Sequence, residues 1–102
     1  MSKKMRKVKT TRRPFGEKLE RSLVDGFRQA GIHIQDSTVE PIRGTRLHRV
    51  LLISRGFKNL KPSERQSVAW RIIDANFKPE DQMRISMILA LTPAEASGTL
   101  DN

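Results

Sequence analysis

Arg55, Lys58, Lys61 and Arg65 follow one another at intervals of three, three and four residues, directly after an apolar run that ends in Ser54. Guanidinium and ammonium groups gathered at one corner do one kind of chemistry well. They bind phosphate oxygens through charge-assisted hydrogen bonds. Gly56 lies among them, and the N–H groups of a helix starting nearby would add positive potential. The residues that break bonds are scarce. The chain has no Cys and no Tyr. His33 and His48 have no paired carboxylate at a suggestive spacing, Ser37 and Ser54 have no base close in sequence, and no Gly-rich phosphate loop is present. The chain is therefore expected to be a non-enzyme without a cofactor. Two imidazoles are too few for a structural zinc site, and His48 is the one candidate metal ligand.

Charge is concentrated at the start of the chain. The 102 residues carry a net charge of +9, of which Lys3, Lys4, Arg6, Lys7, Lys9, Arg12 and Arg13 supply seven with no acidic residue among them. A block of like charges with few apolar groups predicts a disordered basic arm over residues 1–14. Two readings are open for it: an arm contacting phosphate, with Lys3, Lys4, Arg6 and Lys7 as candidates, or a solubilising tail. No window approaches the roughly 18 apolar residues of a membrane span. The basic start also lacks the apolar stretch of a secretory signal, so a cytoplasmic monomer with no membrane partner is expected.

The elements that would position these cations follow from periodicity. Leu19, Leu23, Phe27 and Ala30 recur at helical spacing over residues 17–30, and Gly31 is placed to cap that helix. Alternation over residues 32–39 predicts a strand, and Pro41 and Gly44 mark a loop. A second strand over 46–54 carries apolar residues on both faces, as a central strand covered on both sides would. Ser54-Arg55-Gly56-Phe57 reads as a turn in which Gly56 takes a positive φ and Phe57 tucks under the sheet. The next helix is expected to start at Ser63 as N-cap, with Gln66 completing a capping box and Val68, Ala69, Ile72 and Ile73 facing the core. Trp70 sits at the edge of that stripe, suited to packing or to stacking on a base. Residues 83–91 alternate again, which places Met83, Ile85, Met87, Leu89 and Leu91 on the inward face. Thr92 and Pro93 open a final helical turn, and residues 98–102 are expected to be disordered. The result is an α+β fold over residues 15–97, in the order α-β-β-α-β-(α). It has a three-stranded mixed sheet with helices on one face, whose first two strands can pair antiparallel and whose helical crossover allows a parallel pair between the second and third.

Asp36-Ser37, the segment VLLISRGFKNLKPSERQSVAW with Ser54, Phe57, Leu60, Arg65 and Val68, and the ending Ala90-Leu91-Thr92-Pro93-Ala94-Glu95 resemble the BolA family, over about residues 17–96. The resemblance implies a class II KH-like fold and a non-enzymatic protein that binds DNA or RNA in transcription and stress regulation. The alternative it implies is an adaptor that joins a monothiol glutaredoxin through a bridging iron–sulfur cluster in iron and redox regulation. The chain departs from the family at two places. Arg84 stands where the family has its characteristic histidine, and the loop between the first two strands has neither cysteine nor histidine. A guanidinium has no free lone pair for iron, which favours nucleic acid as partner. The candidate contacts are Arg55, Gly56, Lys58, Lys61, Arg65 and Arg84, with Arg43, Arg46 and Arg49 as possible extensions of the patch.

Overall fold

The computed structural model describes residues 14–98. The expected arm over 1–14 and tail over 98–102 fall almost wholly outside them.

Helix α1 (Pro14–Gln29) buries Leu19, Leu23 and Phe27 completely. It ends as expected at Gly31, whose φ of 87° lets the Ile32 N–H reach back to the Phe27 carbonyl at 2.8 Å. Strand β1 (Asp36–Pro41) begins four residues later than alternation suggested. The backbone before it is spent on other bonds: the Ile32 N–H closes the helix, and the His33 carbonyl accepts from the Ser54 hydroxyl.

Strand β2 (His48–Ile53) is central, antiparallel to β1 and parallel to β3 (Ile85–Leu91), giving the order β1-β2-β3. Val50 and Leu52 are fully buried against the helices. Leu51 and Ile53 on the other face are only half-buried, so the strand is not covered on both sides. The inward face of β3 also differs from the expected one. His48 pairs with Ile85, but Arg49 pairs with Met87, so Ser86 is an extra residue that breaks the alternation. Ile85, Ile88 and Ala90 consequently all face the core, while Met87, Leu89 and the preceding Met83 are exposed.

A 3₁₀ turn (Arg55–Asn59) connects β2 to helix α2 (Pro62–Asn76). Helix α2 starts one residue before Ser63. Lys61 is the N-cap, Pro62 occupies the first helical position that its fixed φ suits, and the Glu64 carboxylate accepts the Lys61 N–H at 2.8 Å. Ala69 and Ile73 are buried, and Val68, Trp70 and Ile72 pack around them. Two short helices, α3 (Pro79–Gln82) and α4 (Pro93–Ala96), flank β3. The α+β order is the one expected, and no helix among the described residues is long and apolar enough to cross a membrane.

The crossing of α1 and α2 depends on Gly26, where an added Cβ would lie 2.7 Å from three atoms of the Ile72 side chain. Overpacking of this kind outweighs the better helix propensity of alanine. Gly26→Ala is expected to lower the unfolding free energy by about 1–2 kcal/mol in urea titration, and adding Ile72→Ala should remove the clash. An unchanged midpoint for the single variant would contradict this packing.

Candidate functional site

The corner between β2 and α2 is held from beneath. Ser54, only 1% exposed, donates its hydroxyl to the His33 carbonyl at 2.6 Å and accepts the Gly56 N–H at 3.0 Å. The Arg55 N–H donates to Gln35 Oε1 at 2.7 Å. Phe57 is fully buried as expected, edge-on to Phe27 with centroids 5.3 Å apart. Gly56 does not take a positive φ. Its function is space, because a Cβ there would meet Ile32 Cγ2 at 3.2 Å and Ser54 Oγ at 3.3 Å.

From this base the side chains of Arg55, Lys58 and Lys61 extend into solvent, with no ion pair or side-chain hydrogen bond to any described residue. The nearest acidic group in sequence is Glu64, engaged by the Lys61 N–H. The backbone donors of Arg55, Gly56 and Lys61 are all satisfied internally, so the expected contribution of free N–H groups is reduced.

Arg65 is not one of these exposed cations. It is 5% exposed, and Nε and Nη1 of its guanidinium are engaged within the fold. Nε donates to the Phe57 and Leu60 carbonyls at 3.1 and 3.0 Å, and Nη1 donates to the Ala90 carbonyl at 2.9 Å and Glu95 Oε1 at 2.8 Å. The group also lies 5.6 Å from the centroid of Phe57. Arg65 therefore ties the 3₁₀ turn, α2, β3 and α4 together. It is a structural cation, and the expectation that it contacts a ligand phosphate is corrected.

Its partner Glu95 closes α4. Glu95 Oε1 accepts the Thr92 N–H at 2.8 Å while Thr92 Oγ1 accepts the Glu95 N–H at 3.2 Å, a reciprocal capping box. The hydrogen bond from Arg65, and then that from the Thr92 backbone, hold the Glu95 carboxyl below its ordinary value of 4.5. A depressed folded-state pKa contributes stability above the unfolded value, and that stability is lost as pH falls through the folded value. In Glu95→Gln, stability should therefore decline less steeply than in the wild type below about pH 4.5, measured by urea unfolding at stepped pH. Parallel declines would contradict the pairing.

Between the corner and α4 lies an open groove of about 560 Å³. Arg55 and Lys58 border one side, Thr92, Pro93 and Ala94 the other, and Arg65 with Glu95 lies at its base. The acidic and apolar side of this groove had a visible signal, the Thr-Pro-x-Glu cap, but its meeting with Arg65 had none.

The remaining candidates are elsewhere. Arg84 precedes β3, and because β2 and β3 run parallel it lies at the end of the sheet opposite the corner, roughly 20 Å away. Its guanidinium covers the Phe15 ring at 4.1 Å, with Asp81 4.0 Å away. It packs there and does not extend the patch. Arg43 and Arg46 are in the β1–β2 connection at that same far end. Arg49 sits on the open sheet face, 3.4 Å from Glu40. His48 is half-buried, its ring 5.0 Å from Phe15, and His33 is exposed. Among the described residues no three His, Cys, Asp or Glu side chains are grouped to hold a metal ion. Trp70 packs against the core. Lys3, Lys4, Arg6 and Lys7 lie outside the described residues. The chain before Pro14 joins the domain beside Phe15, at the Arg84 end.

No protein-family model matches the chain, and no curated protein matches it significantly.

Proposed function

We propose that the chain is a small, non-enzymatic BolA-like module of the cytoplasm that binds nucleic acid through Arg55, Lys58 and Lys61. One observation carries the reading: three exposed cations with no acidic partner among the described residues stand on the short turn and the helix cap that follows it, the turn being fixed by Ser54, Gln35 and Phe57. A rigid mount loses little conformational freedom on binding, and the counterions released from phosphate supply the driving force. The basic residues before Pro14 add to the positive charge of this reading. A role in transcription or stress regulation belongs to this reading. The test is fluorescence anisotropy with short oligonucleotides at low salt. Saturable binding that weakens linearly in log salt supports it, and absence of binding overturns it.

A second reading is favoured by the open sheet face, where Met87 and Leu89 are 42% and 39% exposed beside half-buried Leu51 and Ile53. Such an apolar face suits a protein partner, and under this reading the chain is the adaptor for a monothiol glutaredoxin. Co-elution of the two proteins, with a changed visible spectrum when iron is supplied, supports it. Separate elution without colour counts against it.

A further inference from the structure

The two sides of the groove beside the corner have different chemistry, and together they favour one form of nucleic acid over another. Arg55 and Lys58 offer exposed positive charge, whereas Pro93 and Ala94 offer an apolar wall, with the Glu95 carboxylate beside it paired to Arg65. At the base, the Arg65 guanidinium is held in a fixed plane by four hydrogen bonds from Nε and Nη1. A duplex keeps its base faces stacked inside and presents phosphates along ridges. It would satisfy the cations and leave the recess unfilled. An unpaired nucleotide carries a phosphate and a free π-face in the same residue, and such faces pack on apolar side chains and guanidinium planes. The groove volume of about 560 Å³ also falls in the range of sites that bury small ligands.

Resting on the reading of the corner as a phosphate site, we propose that this groove takes an unpaired base of single-stranded DNA or RNA. The base packs against Pro93 and Ala94, with the flanking phosphates on Arg55 and Lys58. Lys61, outside the groove, follows the backbone as it leaves. The module is therefore selective for single strands, although its long-range attraction is for any polyanion.

The test compares three ligands with equal numbers of phosphates at one salt concentration: a single strand, a duplex, and a strand of abasic sugars. The single strand is expected to bind about tenfold more tightly than either of the others. Ala94→Leu, which fills the groove without altering charge, should reduce that preference and leave duplex affinity unchanged. Equal affinity for the three ligands overturns the groove proposal while the corner reading survives. Failure of all three to bind overturns both. An Ala94→Leu variant that folds, by its circular dichroism, and keeps the full preference also overturns the groove proposal.

Discussion

Arg65→Met is expected to lower the unfolding free energy by about 3–4 kcal/mol, because three backbone carbonyls and a carboxylate lose a charged donor together. Phe57, Leu60 and Ala90 supply the carbonyls and Glu95 the carboxylate, and they belong to four different parts of the fold. Methionine fills much of the volume but donates nothing. Small domains are stable by about 5–15 kcal/mol, so a loss of this size moves the midpoint far down the urea scale. Trp70, the one tryptophan of the chain, reports the transition by fluorescence. Arg65→Lys should recover only a fraction, since one ammonium cannot reproduce two nitrogens aimed in different directions. A variant within 1 kcal/mol of the wild type by this measure would show that Arg65 is not the tie described, the margin being about the net worth of a single hydrogen bond.

The second large effect is on binding. Arg55, Lys58 and Lys61 carry no bonds through their side chains to the described residues, so replacing all three with alanine should change stability little. It should weaken oligonucleotide binding about ten- to a hundredfold at low salt, and it should flatten the log–log salt dependence by roughly two to three units of slope. Arg84→Ala is the matched control. Its charge lies at the far end of the sheet and is turned toward Phe15 and Asp81, so the salt slope should stay that of the wild type. Loss of slope in the control, with the triple variant unchanged, would move the interface to the Arg84 end.

The contrast between Arg65 and its neighbours shows where sequence reasoning reaches its limit. Helix α1, Gly31 as its cap, the Thr92 cap and the order of elements were all legible, because period, cap and turn chemistry are local. Arg55, Lys58 and Lys61 were legible for the same reason, since they follow a strand end that the alternation itself marks. Arg65 carries the same charge and spacing, yet its role depends on Glu95, thirty residues away, and on carbonyls that no side-chain pattern reveals. The inward face of β3 was hidden differently. Residues 83–91 alternate without a break, and the single bulged Ser86 leaves Ile85 inward but reverses which residues meet the core from Met87 onward. Gly56 shows a third kind of limit. A glycine in a turn suggests unusual φ, whereas here the constraint is the approach of Ile32, a contact set by tertiary packing.

Amide chemical shifts recorded while a short oligonucleotide is added report most directly whether the β2–α2 corner is where polyanions dock. The largest changes should fall on residues 55–61 and 92–95, and they should diminish as salt is raised. Changes confined to the open sheet face around Leu51 and Leu89, or to the Arg84 end, would contradict the assignment.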